Sequence, residues 1–193
     1  MSRIIAGAAG GLRLHSVPGT GTRPTTDRVK ESLFSRLEAW GMLRQARVLD
    51  LYAGSGALGC EAASRGADSV DLVERDRKAL AVAHANAEVV NRALGETIAV
   101  AHRGSVLSFL TAHTGPWDLV LADPPYPLTE EQVTEFLAPL PGRLGPGAVV
   151  VVERSARSPE PAWPTGLRRL ESSKHGETAL WFAEECSARS LES

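Results

Sequence analysis

The sequence predicts an α/β fold: a mostly parallel sheet with helices on both faces. Three observations predict it. Short apolar runs alternate with helical segments from residue 46 to 155, and strands alternating with helices build a parallel sheet through crossovers. The run "RVLDLYA" is almost wholly apolar, as a strand buried on both faces must be. A glycine-rich turn, Gly54 to Gly59, separates that run from the helix after it, where open α/β sheets place ligands.

Taken in order, "RIIAGAAGGLRLHSV" reads as a small N-terminal β-hairpin with glycines at its bend. "TTDRVKESLFSRLEAW" follows as an amphipathic helix with Val29, Leu33, Leu37 and Trp40 on one face. "RVLDLYA" is the first strand of the body, and a helix runs from the glycine turn to about Arg65. "SVDLVER" and "TIAVAHRG" are the next strands, separated by the Ala- and Leu-rich helix "DRKALAVAHANAEVVNRAL". "SVLSFLTAH" is a short helix. "WDLVLADPPY" is a strand whose prolines must end it. "TEEQVTEFLAPL" is a helix with Thr129 as its N-cap and acids in its first turn. "GAVVVVERS" is a fifth strand, and "LRRLESSKHGETALWFAEE" an antiparallel hairpin turning at His175-Gly176. This divides the chain into a hairpin arm (1–22), a body (23–185) and a polar tail (186–193).

Composition is that of a soluble globular protein, 43% hydrophobic and 23% charged. Two cysteines give no disulfide framework, no Cys/His cluster has zinc-site spacing, and no metal is expected. The start lacks a signal peptide's apolar core and no run approaches a membrane span, so the cytoplasm is the expected location. The net charge of −2 is unevenly spread. Residues 1–47 carry eight Lys or Arg against three acids, a surplus of five that leaves −7 for the rest. A basic front, including Arg3, Arg13, Arg23, Arg28 and Lys30, suggests a side that meets a polyanion. A solvated helix face is the plainer reading of the same charges.

Gly54-Ser55-Gly56-Ala57-Leu58-Gly59 is a literal G-x-G-x-x-G, with Glu74 twenty positions after Gly54. Glycines let a ligand approach the backbone, and an acid at the next strand end can accept from ribose hydroxyls. A dinucleotide and S-adenosylmethionine both carry that ribose, so the turn alone does not separate a dehydrogenase from a methyltransferase. Asp50 interrupts a buried strand. It either accepts backbone N–H groups at the turn or helps hold a cationic ligand group, and the spacing of acid, glycine loop and second acid favours the latter.

Asp123-Pro124-Pro125-Tyr126 ends the fourth strand. If that strand neighbours the first, Asp123 faces Gly54 and Gly56 across the crevice. The Asp123 carboxylate and Pro124 carbonyl can together hold both hydrogens of an exocyclic amine and turn its lone pair toward a methyl donor. Tyr126 can stack on the base. Positioning and electrostatics then supply most of the catalysis, and Asp123 can take the released proton.

Asp-Pro-Pro-Tyr after "VLA" resembles the catalytic motif of amino-methyltransferases acting on adenine, cytosine or guanine. "RPTTDRVKESLF", "VLDLYAGSGALGCEAASRGADSVDLVERD" and "DLVLADPPY", with "RIIAG" in front and "KHGETAL" behind, resemble the bacterial 16S ribosomal RNA guanine-N2 methyltransferase family over nearly the whole chain. The resemblance implies a Rossmann-like class I methyltransferase fold with a seven-stranded, mostly parallel sheet. It implies S-adenosyl-L-methionine as donor, S-adenosyl-L-homocysteine as by-product, and N2-methylguanosine in 16S rRNA, or in a small-subunit assembly intermediate, as product. The protein is expected to act as a monomer away from membranes.

Carried over by residue, Asp123, Pro124, Pro125 and Tyr126 hold a flipped guanine. Tyr52, Ala53, Gly54, Ser55 and Gly56 pass beneath the cofactor, with Asp50 behind them. Glu74 binds the ribose, with Arg75 and Asp76 nearby. Thr25 reaches either the cofactor carboxylate or the RNA, as do Arg23 and Pro24, and the hairpin from Arg3 to Val17 grips RNA. Two positions depart from the pattern. Ser105 stands where relatives often place Asp or Asn to read the adenine amine, so a hydroxyl or a backbone group near Val106 must substitute. Leu12 stands where many relatives carry a basic residue. The alternatives are a DNA adenine or cytosine amino-methyltransferase, which usually needs a separate target-recognition region, an NAD-dependent dehydrogenase, which needs a substrate domain, and an inactive RNA-binding assembly factor.

Overall fold

A computed structural model describes residues 2–19 and 26–186. Seven strands form one sheet in the order β5-β4-β3-β6-β7-β9-β8. They are β3 (Arg47–Leu51), β4 (Ser69–Glu74), β5 (Ala99–Arg103), β6 (Trp117–Ala122), β7 (Leu144–Ser155), β8 (Leu167–His175) and β9 (Thr178–Glu185). The strands from β5 to β7 are parallel, β9 runs antiparallel to β7, and β8 runs antiparallel to β9. Each strand predicted from "RVLDLYA" onward is present, and the C-terminal hairpin turns at His175-Gly176 as expected.

Side-chain alternation along the strands divides the core into two layers. Val48, Leu72, Leu119, Leu121, Val149 and Val151 face α1 (Asp27–Ala39), α2 (Ala57–Ser64) and α3 (Arg77–Leu94). Leu49, Leu51, Val73, Val120, Val150 and Val152 face α4 (Val106–Ala112) and α5 (Glu130–Leu137). Both sides of a strand such as Val48-Leu49 are therefore apolar, which is why its sequence does not alternate. Thr129 caps α5 through a reciprocal capping box with Gln132. Among the described residues, no helix is long and apolar enough to cross a membrane.

The predicted N-terminal hairpin shrinks to β1 (Ser2–Arg3) paired with β2 (Arg13–Leu14). What holds it is packing. Ile4 and Leu14 are buried in the core layer beneath α1 and α2. Glu61, fully buried on α2, accepts from the backbone N–H groups of Ile5 (2.8 Å) and Ala6 (3.1 Å). The same carboxylate accepts from Arg65 Nε at 2.9 Å and lies 3.8 Å from the Lys30 ammonium. Burial lowers the Lys30 pKa, and Glu61 opposes that shift. One buried acid thus joins the hairpin, α1 and α2, and it is tolerable only because each oxygen is partnered.

A second buried acid, Asp50, lies inside the sheet. Its Oδ2 accepts from Gly59 N–H at 2.9 Å, which holds the start of α2 down on β3. A Cβ at Gly59 would lie 2.2 Å from Leu72 Cδ2 and 2.9 Å from Val70 Cγ1, so any larger residue would have to displace these buried side chains. Burial pushes the Asp50 pKa up to about 8; the Gly59 N–H opposes the shift, while the charges of Asp123 and Glu74 add to it.

Two stability predictions follow from these acids. Glu61→Ala should cost about 3–5 kcal/mol in urea unfolding, because it leaves buried cations and backbone donors unpaired. Asp50 binds its proton more tightly folded than unfolded. The stability it contributes is therefore complete below its ordinary value of 3.8 and is lost as pH rises to about 8. Wild type should lose stability relative to Asp50→Asn across that window, with a slope approaching about 1.4 kcal/mol per pH unit. Parallel stability curves for the two proteins would contradict this assignment.

Candidate active site

The sheet changes direction of winding at β3. β4 and β5 lie on one side of it, β6 and β7 on the other. Parallel register brings their carboxyl ends to one level: Leu51 is opposite both Val73 and Ala122, and Ala122 is opposite Val152. The next residues along those strands, Tyr52, Glu74, Asp123 and Glu153, therefore stand at one level at the carboxyl ends of four neighbouring strands.

The glycine turn is built from left-handed backbone. Tyr52, Gly54 and Gly56 have φ values of 59°, 57° and 78°. Tyr52 is the unusual one, since a side chain disfavours this region. Its ring is held edge-on to Phe136 on α5 at 5.4 Å, and burial pushes its phenol pKa up to about 12. A Cβ on Gly54 would meet nothing within 4 Å, so the turn faces open space. Glu74 sets the shape of the turn: one oxygen accepts from Gly54 N–H at 2.9 Å, the other from Asp76 N–H at 2.7 Å. Asp76 caps α3 by accepting from Lys78 and Ala79 N–H. Arg75 is exposed beside them.

Several expected residues have further structural work. Asp50 lies beneath the turn, only 1% exposed, with its carboxylate on Gly59. This is the backbone-accepting alternative of its two readings. The Ser105 hydroxyl caps α4 by accepting from Ser108 N–H, and the Val106 side chain is buried. Arg3 and Arg13 are cross-strand partners and line a groove with Ser2 and Asp27. Arg28 is exposed. Lys30 differs from its expected place facing RNA. It is 1% exposed, its ammonium donating to the Arg3 carbonyl at 2.6 Å. Its position on the apolar face of α1 draws the long side chain inward to Glu61. Thr25, Arg23 and Pro24 lie outside the described residues.

At the end of β6, Asp123 is half-buried, Pro124 buried and Pro125 exposed, and Tyr126 is 62% exposed. Leu128 N–H donates to the Pro125 carbonyl at 2.9 Å and closes the turn. Asp123, Pro124 and Tyr126 line a crevice with Glu153, Arg154, Ser155 and Ser158 from β7 and the loop after it. Sequence reasoning missed these four. Arg154 is buried, donating to the Leu128 carbonyl at 3.2 Å and pairing with Glu130 on α5. Also missed was Asn86 of α3, which is fully buried. It donates to the Ser55 carbonyl at 2.8 Å and exchanges hydrogen bonds with the His15 backbone, tying the glycine turn to the N-terminal segment. An amide on the otherwise apolar face of Leu80, Ala83, Ala87 and Val90 was its visible signal.

Among the described residues, no group of three or more His, Cys, Asp or Glu is placed to hold a metal. The open face above Gly54, framed by Glu74, fits an adenosine-bearing cofactor: acceptors stand at a strand end and no side chain fills the turn.

Comparison with known proteins agrees with this geometry. The family described as conserved hypothetical protein 95 matches residues 2–184. Ribosomal RNA small subunit methyltransferase D of Escherichia coli is 38% identical over 170 residues, which cover 84% of this chain and 79% of that protein. The Bacillus subtilis protein YlbH matches locally, at 48% over 84 residues, 44% of this chain and 45% of that one. The chain thus spans less than half the length of YlbH. The solved structure of Escherichia coli yhhF superposes with a TM-score of 0.78 at 34% identity, over 95% of this chain and 97% of that one. The Rossmann-like, seven-stranded fold implied by the sequence resemblance is present, and the chain belongs to the conserved hypothetical protein 95 family, as a homologue of the ribosomal RNA small subunit methyltransferase D proteins.

Proposed function

We propose that this protein transfers a methyl group from S-adenosyl-L-methionine to the exocyclic N2 of a guanine in 16S rRNA. The observation that carries the reading is the placement of Asp123 and Pro124 at the carboxyl end of β6, beside the glycine turn of β3. The cofactor, when bound, supplies an electrophilic methyl group on a sulfonium. Tyr52 to Gly56 form the floor beneath it, and Glu74 offers ribose acceptors at the rim, with Arg75 and Asp76 alongside. Val106 and Ser105 border the adenine side.

The remaining work belongs to the chain. An aromatic amine is a weak nucleophile because its lone pair is delocalised into the ring. The Asp123 carboxylate and Pro124 carbonyl accept its two hydrogens and aim that lone pair across the crevice. Tyr126, exposed at the entrance, stacks on the base. Asp123 then takes the proton released on transfer. A duplex or stacked base cannot reach this position, so the guanine enters flipped out of its stack. Arg3, Arg13 and Arg28 form the phosphate-facing side, and the substrate is the rRNA or a small-subunit assembly intermediate carrying it.

Asp123→Ala separates binding from chemistry. It should keep the thermal shift given by S-adenosylmethionine, a shift that NAD does not produce, and lose at least about a hundredfold in methyl transfer to small-subunit rRNA. Turnover near that of wild type would remove Asp123 from the mechanism, and stabilisation by NAD alone would remove the methyltransferase reading.

A further inference from the structure

We propose that Glu153 reads the Watson–Crick edge of the target guanine, accepting its N1–H beside the amine held at Asp123. The inference rests on the guanine-N2 reading above and supplies what that reading lacks, a residue that selects guanine.

Register places Glu153. Ala122 and Val152 are paired across β6 and β7, so Asp123 and Glu153 are the next residues of adjacent parallel strands. Alternation gives them the same side of the sheet: Leu121 and Val151, two residues back, share one core layer, while Ala122 and Val152 belong to the other. Both acids line the crevice that Tyr126 borders.

The chemistry of the base gives two neighbouring acceptors a use. On the Watson–Crick edge of guanine the ring atom beside the exocyclic amine is N1, which carries a hydrogen. In adenine and cytosine the ring nitrogen beside the amine carries a lone pair. Two adjacent acceptors match the donor–donor edge of guanine. The same pair sets a carboxylate against a lone pair in the other two bases, and a site built on hydrogen bonds rejects such mismatches far more strongly than an apolar pocket does.

The test uses the intact protein, S-adenosylmethionine and a short small-subunit rRNA fragment spanning the nucleotide that wild type methylates. That nucleotide is made either as guanosine or as 2-aminopurine riboside, which keeps the amine but lacks O6 and carries a lone pair at N1. Wild type should prefer guanosine by at least about a hundredfold in kcat/KM. Glu153→Gln can turn its amide to donate to that lone pair. It should lose about tenfold or more on guanosine and bring the two substrates within about tenfold of each other, with S-adenosylmethionine affinity unchanged as the sign of an intact fold. An unchanged preference in a variant that binds S-adenosylmethionine would overturn the role of Glu153 and leave the guanine-N2 reading standing. Failure of wild type to methylate any guanosine N2 in small-subunit rRNA would overturn both.

Discussion

Parallel pairing of β3 with both β4 and β6 is the constraint on which the site depends. The pairs Leu51–Val73 and Leu51–Ala122 put three strand ends at one height. The sheet reverses its winding there, which opens a crevice between the loops leaving β3 and β6. The glycine turn leaves β3 and the Asp123-to-Tyr126 turn leaves β6, side by side at that level. β7 joins through Ala122–Val152 and brings Glu153 and Arg154 to the same crevice. Residues up to about a hundred positions apart thus meet without any long irregular loop to place them.

This arrangement gathers acids. Asp50, Glu74, Asp123 and Glu153 all approach one end of the sheet, and each has a different task. Asp50 fastens Gly59 from below, Glu74 shapes the turn through Gly54 and Asp76, and Asp123 and Glu153 border the crevice. The charges of Asp123 and Glu74 add to the burial that pushes the Asp50 pKa up to about 8. The apolar layers on both sheet faces must carry the stability that such a site withholds. Glu61 works in the opposite sense: its charge is buried, fully partnered and remote from the crevice, and it fixes the N-terminal segment against α2.

Most of the fold was legible because strand and helix periods are local. "GAVVVVERS" reads as a strand in the alternating pattern, and Thr129 with the acids after it announces the start of α5. The literal G-x-G-x-x-G located the turn, while Asp123-Pro124-Pro125-Tyr126 indicated which chemistry it serves. What depended on tertiary contact was not legible. Lys30 reads as a surface base in a basic segment, and only the packing of α1 against β1 turns its ammonium to Arg3 and Glu61. Asp50 had two readings that differ only in what lies above it, and Gly59 N–H decides its structural partner. Glu153 and Arg154 stood at the end of a predicted strand with no motif around them. Register alone brings them beside Asp123.

The central claim is that this crevice methylates the N2 of a guanine in small-subunit rRNA. Mass spectrometry of nucleosides from 16S rRNA tests it most directly, comparing cells that make the protein with cells that lack it and locating the modified fragment. The account predicts that N2-methylguanosine disappears from one position when the protein is absent and returns when wild type is restored. Unchanged N2-methylguanosine throughout 16S rRNA, in cells shown to lack the protein, would contradict it.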